Sequence, residues 1–486
     1  MKIYVGQINP TVGAIKDNEA AIASVLEQAR KEGAQLIVFP QLVLSGAPLH
    51  DLLFHEKFVE MCEHSLSRLA PLTYGLDVIL GSPALNNGYL YDSAVLFSDG
   101  REYGRQFESR LCWEVQGKRV AVLVGEEAPS QEIGEVDLTV HIAASPWSPG
   151  QAERRLSSLR KRAQESSSAY LFVNLVGGND EWIFDGNSFY VDKEGAPVWS
   201  APSFEEGGFL VCSNESRTLS PIEEVRQAAV LGIRDYFDKQ RVETAHIALS
   251  GGIDSSLTAA LVTEALGPKR VRGLFLPSRF TSKTSRSNVD DLVKNLDISL
   301  EEISVEPMLK AALDTLGPVE GLSFENLQSR IRTVILMARS NEANSMVVGT
   351  GNKSEETLGY ATLYGDLSGA LLPLGDLFKT ECYELARHLN STQPLIPQAV
   401  LDRAPTAELH LDQHDTDDLP EYETLDPLLQ SLVLEGAPLD DQALERMMWK
   451  AEYKRRQSPP ILRLSHRSFG SEARYPITNG LRFVVE

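Results

Sequence analysis

Residues 250–256 combine two adjacent glycines with three serines and an aspartate, in the order Ser-Gly-Gly-Ile-Asp-Ser-Ser. The glycines let the backbone turn sharply and bring its N–H groups close to an anion. The serine hydroxyls can add donors, and a helix that follows contributes its positive N-terminal end. This composition predicts a phosphate-binding loop.

The aspartate of this loop, Asp254, repels phosphate and is a candidate Mg²⁺ ligand instead. The loop contains no lysine and no Gly-x4-Gly spacing, so it differs from the Walker pattern. A Gly-Gly turn capped by serine and aspartate, which occurs in many α/β proteins, is the alternative interpretation. The candidate nucleotide-binding residues of the loop are Ser250, Gly251, Gly252, Asp254, Ser255 and Ser256.

The loop lies between the predicted elements of a βαβ unit. A strand is predicted up to residue 249, a helix over 256–266 and a second strand over 271–276. This order implies a parallel sheet with right-handed crossovers, and it places the loop at a strand-to-helix junction.

Residues 1–213 alternate strand-like apolar runs with helical stretches at 18–32 and 151–167, which indicates a separate layered α/β domain. A short polar segment and a helical pattern follow. The predicted organisation is therefore a first domain at 1–213, a connector and helix at 214–243, and a second domain at 244–486.

The composition of the 486 residues is that of a globular chain with two, or at most three, domains. A formal charge of −22 argues against a nucleic-acid partner, which requires a broad basic face. We expect no membrane partner, because no apolar run approaches membrane-spanning length. The four cysteines are scattered without metal-like spacing, so we expect a reducing, cytoplasmic location.

The loop resembles the pyrophosphate loop of enzymes that cleave ATP between the α and β phosphates to form acyl adenylates, such as NAD, GMP and asparagine synthetases. Over about residues 220–480 the motifs behind it resemble the synthetase domain of bacterial NAD synthetases. These motifs are Pro277-Ser278, the stretch 325–332, Gly349-Thr350-Gly351-Asn352-Lys353-Ser354-Glu355, the stretch 359–366, Asp376-Leu377-Phe378-Lys379-Thr380, Pro405-Thr406-Ala407-Glu408-Leu409 and the stretch 452–457.

The resemblance implies a reaction in two steps. The carboxylate of nicotinic acid adenine dinucleotide attacks the α-phosphorus of ATP and releases pyrophosphate; ammonia then displaces AMP and gives NAD⁺. It also implies that Asp254 and Glu355 hold Mg²⁺, that Lys379 binds phosphate, and that Arg332 and Thr350 line the ATP site. The metal would offset charge on the leaving pyrophosphate.

By the same resemblance Asn326, Glu355 and Lys454 bind the dinucleotide, and Asp366 orients substrate or ammonia. Each has a structural alternative. Asn326 could cap a helix predicted from about residue 325, and Lys454 belongs to a basic run that could be a solvated face. Lys353 is interpreted as a solvated side chain.

The first half resembles the nitrilase-like amidase domain fused to glutamine-dependent NAD synthetases. The markers are Phe39-Pro40, the segment from Ser45-Gly46 to Leu53, Ala144-Ser145-Pro146, the stretch 173–181 and Phe184-Asp185-Gly186. The resemblance implies an α/β fold class throughout: an N-terminal nitrilase-like α-β-β-α sandwich followed by a C-terminal Rossmann-like adenine nucleotide alpha-hydrolase domain with a pyrophosphate loop.

Active amidase domains of this kind use a cysteine nucleophile, a glutamate base and a lysine. Here Gln41 stands at the position of the base and Gly125 at that of the nucleophile, and no lysine occurs between Lys57 and Lys118. Arg105 or Arg110 could occupy the neighbourhood of the lysine. Cys112 is interpreted as a buried or inert thiol.

These replacements predict a degenerate glutaminase site, with free ammonia as the nitrogen donor and the first domain retained as a scaffold or regulator. One alternative is a glutamine-dependent synthetase with atypical glutaminase residues. Another is a pseudoenzyme that senses nucleotides without turnover. The resemblance also implies a homo-oligomer, a dimer or larger.

Overall fold

The computed structural model describes residues 1–107, 112–125, 135–213, 219–405, 408–410, 417, 419–437 and 441–478. The chain divides into two compact units, Met1–Leu219 and Ser220–Glu486. No helix in these ranges is both long and apolar enough to cross a membrane.

The first unit contains two six-stranded sheets and three α-helices among its described residues. Its strands are β1 (Ile3–Gln7), β2 (Leu36–Val38), β3 (Asp77–Asn86), β4 (Tyr89–Ser98), β5 (Arg101–Gln106), β6 (Cys112–Val115), β7 (Lys118–Val124), β8 (Leu138–Ala143), β9 (Ala169–Asn174), β10 (Val176–Asn179), β11 (Trp182–Asp185), β12 (Phe189–Val191), β13 (Pro197–Ser200) and β14 (Gly207–Leu210). Its helices are α1 (Ile15–Lys31), α2 (Glu56–Leu69) and α3 (Gln151–Ser166).

The sheets have the orders β14-β1-β2-β3-β4-β5 and β13-β12-β9-β8-β7-β6, and β10 and β11 form a separate hairpin. Side chains alternate between the two faces of each strand. In β1, Ile3 and Val5 join the core with Val122 of the other sheet, whereas Tyr4 joins the core with Ile22 of α1. Both faces of each sheet are thus covered, which confirms the α-β-β-α sandwich.

The second unit is built on a four-stranded parallel sheet with helical crossovers. Its strands are β15 (Ala245–Ala248), β16 (Val271–Phe275), β17 (Ser299–Glu302) and β18 (Met346–Val347). Its helices are α4 (Pro221–Lys239), α5 (Ile253–Leu266), α6 (Lys283–Leu296), α7 (Glu306–Leu316), α8 (Leu322–Glu342), α9 (Lys353–Leu358), α10 (Lys379–Thr392), α11 (Gln398–Asp402), α12 (Tyr422–Gln430) and α13 (Gln442–Arg455).

The strand order β17-β16-β15-β18 reverses between β15 and β18. In open parallel sheets, ligands bind outside the carboxyl ends of the strands at such a reversal. The segment after β15 is the glycine-serine loop, and the segment after β18 carries Thr350 and Asn352. The topology therefore brings two of the sequence motifs to one crevice.

The start of α5 differs from the sequence prediction, since this helix begins at Ile253 and not at residue 256. The hydroxyls of Ser255 and Ser256 donate to the carbonyl oxygen of Gly252, at 3.2 and 2.7 Å. Gly252, in an extended conformation, is the N-cap residue of this helix. Asp254 therefore lies in the first turn of α5.

Candidate active site

The turn after β15 requires glycine at residue 251. Gly251 has a φ of +82°, and a Cβ there would lie 2.5 Å from the carbonyl oxygen of Ser285. Asn288 fixes the turn by donating its amide to the Gly251 carbonyl at 3.1 Å. The backbone is thus held against α6, with its N–H groups at the N-terminal end of α5, as an anion site needs.

The serine hydroxyls are not all directed at a ligand. Ser255 accepts from the backbone N–H of Ser250 at 3.2 Å, and its Oγ lies 3.0 Å from the Ser250 Oγ. Ser256 is fully buried and bonded to the Gly252 carbonyl. Ser255 and Ser256 therefore bond within the loop, and the Gly252 N–H donates to the Ser250 hydroxyl at 3.2 Å.

Three predicted site residues meet at the mouth of the crevice. The Nζ of Lys379 donates to Asp254 Oδ2 at 2.5 Å and to Glu355 Oε1 at 3.2 Å. Asn352 donates its side-chain amide to Asp254 Oδ1 at 3.1 Å. Residues up to 125 positions apart in the chain thus form one cluster of charged groups.

The start of α9 sets the position of Glu355. Asn352 caps this helix by accepting from the Glu355 backbone N–H at 3.1 Å, and the Asn352 N–H donates to Glu355 Oε2 at 3.3 Å. This reciprocal arrangement is a capping box. Sequence reasoning did not assign a role to Asn352, although it lies inside a quoted motif and has the residue type of an N-cap.

Lys379 keeps its positive charge in this cluster. Burial alone would lower its pKa, but the charges of Asp254 and Glu355 outweigh burial and hold the pKa of Lys379 well above its usual value. The cluster therefore presents an ammonium between two carboxylates at the phosphate loop.

Two residues of the cluster, Asp254 and Glu355, are the candidate Mg²⁺ ligands. Mg²⁺ takes one or two protein carboxylates and completes its octahedron with phosphate oxygens and water. Asp254 and Glu355 provide two carboxylates that converge on a single Lys379 nitrogen, so both can reach one cation. No group of three or more potential ligands occurs among the described residues, so substrate oxygens would have to complete the shell.

Arg332 reaches the same crevice from α8. Its Nε donates to the Leu276 carbonyl at 3.1 Å, at the end of the strand next to β15. Burial lowers the pKa of Arg332, against the charges of Glu408, Asp366 and Glu306. Thr350 is half-buried in the segment after β18. That Arg332 and Thr350 line a nucleotide site stays a prediction.

The predicted dinucleotide residues gather around the loop 359–366. Asn326 accepts from the Thr362 hydroxyl at 2.7 Å. Lys454 donates to the carbonyls of Gly359 and Ala361, each at 2.7 Å. Asn326 lies inside α8, which begins at Leu322, so the alternative of a helix cap is wrong.

Asp366 organises the same loop. Its Oδ1 accepts from the Ser329 hydroxyl at 2.8 Å and from the Thr362 N–H at 2.9 Å. Lys353, interpreted from sequence as solvated, is fully buried instead and donates to Asp376 Oδ1 at 2.6 Å. An ammonium without exposure requires such a partner, and sequence offered no sign of the burial.

The first unit brings its two predicted positions together. A Cβ built on Gly125 would lie 3.6 Å from the Nε2 of Gln41. Gln41 donates to Asp92 Oδ2 at 2.6 Å and accepts from the Ala144 N–H at 3.0 Å. His141 lies behind the turn, with its Nε2 2.8 Å from the Gly125 carbonyl oxygen.

Three further candidates of the first unit were Arg105, Arg110 and Cys112. Arg105 forms ion pairs with Glu63 and Glu102, and Arg110 lies outside the described residues. Cys112, predicted to be buried or inert, is exposed on β6 and pairs with Ala121.

Comparisons with known proteins place both units in families. A family model described as NAD synthase matches residues 225–459, and one described as carbon-nitrogen hydrolase matches residues 2–145. The chain is therefore an NAD synthase unit fused to a nitrilase-like unit, as the motifs predicted.

Full-length relatives narrow this class. The chain is 34% identical over 540 aligned positions to the glutamine-dependent NAD(+) synthetase of Xylella fastidiosa (strain 9a5c), covering 99% of each chain. It is 35% identical to that of Synechocystis sp. (strain ATCC 27184 / PCC 6803 / Kazusa), covering 98% of each. The chain belongs to the glutamine-dependent NAD(+) synthetase family, whose members use ATP as co-substrate and bind nicotinic acid adenine dinucleotide.

Solved structures agree with this assignment. The glutamine-dependent NAD+ synthetase from Acinetobacter baumannii, solved with adenosine diphosphate, is 28% identical with a TM-score of 0.79 and covers 99% of this chain and 98% of its own. The enzyme from Cytophaga hutchinsonii shows the same fold, with a TM-score of 0.86 at 18% identity and coverage of 99% and 98%.

The expectation that free ammonia is the nitrogen donor, and that the enzyme is of the ammonia-dependent type, is wrong. The relatives that match 98–99% of this chain are glutamine-dependent synthetases. The inference rested on Gln41, on Gly125 and on the absence of a lysine between Lys57 and Lys118, whereas the first unit retains the nitrilase-like fold.

Proposed function

We propose that this chain converts nicotinic acid adenine dinucleotide to NAD⁺ with ATP, and that glutamine is the source of the nitrogen, as in the relatives. In the first step a carboxylate oxygen of the dinucleotide bonds to the α-phosphorus, and the bond from that phosphorus to pyrophosphate breaks. Water hydrolyses the side-chain amide of glutamine to glutamate and ammonia. In the second step this ammonia bonds to the acyl carbon, AMP leaves and the nitrogen releases a proton.

The observation that carries this proposal is the cluster of Lys379, Asp254 and Glu355 beside the phosphate loop. The N–H groups of the turn and the Lys379 ammonium supply positive charge where pyrophosphate leaves. Asp254 and Glu355 would hold Mg²⁺, which when bound neutralises phosphate charge. A transition-state charge inside a partly buried crevice is stabilised more strongly than in water.

The dinucleotide would bind along α8 and the loop 359–366, next to the phosphate crevice. Asn326 and Lys454 both hold this loop, and Asp366 fixes its turn. We assign Asn326 and Lys454 to dinucleotide binding through the loop, and Asp366 to its shape. Arg332 and Thr350 line the ATP side.

We also propose that Gln41 and Gly125 do not carry the bond-breaking chemistry of the thiol amidases, so that the site is a pseudo-glutaminase at these two positions. An amide is not a base, and glycine has no side chain to attack with. Glutamine use by this chain would then depend on other groups of the first unit.

A homo-oligomer is a further part of the proposal. The helix α8 leaves Val334 and Met337 exposed, at 56% and 41%, and exposed apolar side chains on one helix are suited to a contact between copies. Light scattering of the purified protein after size-exclusion chromatography measures the number of subunits, and a monomer at micromolar concentration would contradict this part.

The central experiment supplies purified protein with Mg-ATP and nicotinic acid adenine dinucleotide, and with either glutamine or ammonium chloride. NAD⁺, AMP and pyrophosphate are quantified together. We expect NAD⁺ and AMP in equal amounts with glutamine. Absence of AMP with both donors would favour a nucleotide-sensing pseudoenzyme instead.

A further inference from the structure

Helix α12 carries a buried carboxylate that joins the starts of two other helices. Asp426 is fully buried. Its Oδ1 accepts from the Ser354 hydroxyl of α9 at 2.6 Å. Its Oδ2 accepts from the backbone N–H and the hydroxyl of Thr380 in α10, at 2.7 and 2.8 Å.

These two helix starts carry the charged groups of the candidate active site. Ser354 precedes Glu355, and Thr380 follows Lys379. A direct contact also joins the two helix starts, because the backbone N–H of Lys379 donates to the Ser354 hydroxyl at 2.9 Å. Asp426 thus fixes the backbone on both sides of the Lys379–Glu355 pair.

The same face of α12 contacts the ammonium of Lys379. Tyr422 lies four residues before Asp426, which is one helical turn. The Lys379 Nζ is 5.3 Å from the centre of the Tyr422 ring, a distance at which a cation is attracted by the ring face. Lys379 is therefore held at its backbone through Asp426 and at its side chain by Tyr422.

Anchoring α12 does not require a carboxylate. Leu425 and Leu429 already pack it into an apolar cluster with Phe378 and Leu358. Burying a charged group is unfavourable unless every oxygen is bonded. The three donors to Asp426 all belong to the starts of α9 and α10, which points to a function at these starts.

We propose that Asp426 and Tyr422 are positioning residues that hold Lys379 for the ATP-cleaving step. This inference rests on the function proposed above. Both residues act through Lys379, whose ammonium lies over the Tyr422 ring and whose helix start is bonded to Asp426. Loss of the carboxylate would let the start of α10 move relative to Glu355, and a displacement of about 1 Å can lower a rate about 100-fold.

A double-mutant cycle tests the proposal. Asp426→Ala, Lys379→Ala and the double variant are compared for kcat, for KM of ATP and for the affinity of Mg-ATP by calorimetry without the dinucleotide. We expect Asp426→Ala to lower kcat/KM for ATP about 10- to 100-fold, with little further loss in the Lys379→Ala background. Equal losses in both backgrounds would overturn the proposal.

Control variants separate positioning from stability. Glu423→Ala removes an exposed carboxylate of the same helix and should leave the kinetics unchanged. Asp426→Asn keeps an oxygen for Thr380 and should recover most of the activity lost in the alanine variant. Thr380→Val removes one donor and covers the case in which Asp426→Ala does not fold; wild-type ATP kinetics in this variant would contradict the proposal.

These measurements distinguish failure of the positioning role from failure of the proposed function. If the wild-type protein forms no AMP with either nitrogen donor, the function fails. If the wild type is active and Asp426→Ala retains its kcat and its KM for ATP well below its melting temperature, the function stands and the positioning role fails.

Discussion

The two units differ in the side chains that their folds bring together. In the second unit the charged side chains are present and the fold brings them into contact, as in the Lys379–Asp254 pair at 2.5 Å. In the first unit the fold also brings Gln41 and Gly125 together, but an amide is not a base and glycine has no side chain to attack with. The second unit thus joins charged groups, whereas the first unit joins two uncharged residues.

The largest expected effect is in the second unit. Lys379→Ala removes the ammonium beside the departing pyrophosphate and leaves two carboxylates facing each other. Removing one preorganised stabilising group at a transition state lowers kcat about 10²- to 10³-fold. The rate of steady-state NAD⁺ formation measures this decrease in kcat. Lys269→Ala, at an exposed lysine, is the control. A loss below about tenfold would contradict the role of Lys379.

The phosphate loop gives the second prediction. Gly251→Ala adds a Cβ 2.5 Å from the Ser285 carbonyl oxygen, whereas Gly267→Ala adds one to open space at nearly the same φ, +83°. Both variants incur backbone strain of about 1–3 kcal/mol, but only the first displaces the anion-binding turn. We expect Gly251→Ala to weaken Mg-ATP binding at least about tenfold, which is about 1.4 kcal/mol.

Calorimetry with Mg-ATP and thermal unfolding of both glycine variants separate the two effects. Gly267→Ala should lower the melting temperature and retain ATP affinity. Equal ATP affinities in the two variants would show that the turn at residue 251 does not hold phosphate.

The third prediction concerns the hydrolysis of glutamine by the first unit. The double variant Gln41→Glu and Gly125→Cys introduces a carboxylate and a thiol at two positions that lie next to each other. Because general base catalysis contributes about 10²- to 10⁴-fold, we expect faster glutamate release from glutamine than in either single variant. The gain should stay well below that factor, because Gly125 has a φ of +82° that costs a cysteine about 1–3 kcal/mol.

An alanine variant at residue 41 tests whether Gln41 takes part in the cleavage of glutamine. Gln41→Ala should leave glutamine-driven NAD⁺ formation within about twofold of wild type, that is within about 0.4 kcal/mol. If it abolishes glutamine-driven formation and spares formation with ammonium, Gln41 takes part in amide cleavage and the pseudo-glutaminase proposal is wrong.

The sequence predicted the architecture well because both folds have local markers. The apolar strands and the glycine-serine loop established the parallel sheet and the location of its ligand crevice. The start of α5 was misplaced by three residues, because the helix begins directly after its N-cap residue Gly252 and so includes Asp254 and Ser255. The conformation of a glycine depends on its surroundings in the fold, so the local pattern did not reveal this start.

The candidate site was predictable in part. Asp254, Glu355 and Lys379 lie in separate motifs, and the structure joins them as the family resemblance implied. Asp426 was missed because it ends an acidic stretch that has the composition of a solvated face. Its burial depends on packing between α12 and two helices distant in sequence, which no local pattern shows.

The smallest expected effect concerns the support behind Gly125. Burial lowers the pKa of His141 to about 4, so this imidazole is neutral in the folded protein and becomes charged on unfolding below its ordinary pKa of 6.5. The unfolded chain then binds more protons, so stability falls as pH decreases from about 6.5 to 4. The neutral ring donates to the Gly125 carbonyl. The loss of stability at low pH therefore involves the turn at Gly125.

His141→Gln retains a donor and does not titrate. Between pH 4.5 and 7 its melting temperature should therefore change by a few degrees less than that of wild type. A change of 1 kcal/mol in stability shifts the melting temperature by about 2–4 °C. His64→Gln, at an exposed histidine of the same unit, is the matched control and should follow wild type. A parallel pH dependence of His141→Gln and wild type would mean that the turn at Gly125 is not supported by a neutral histidine.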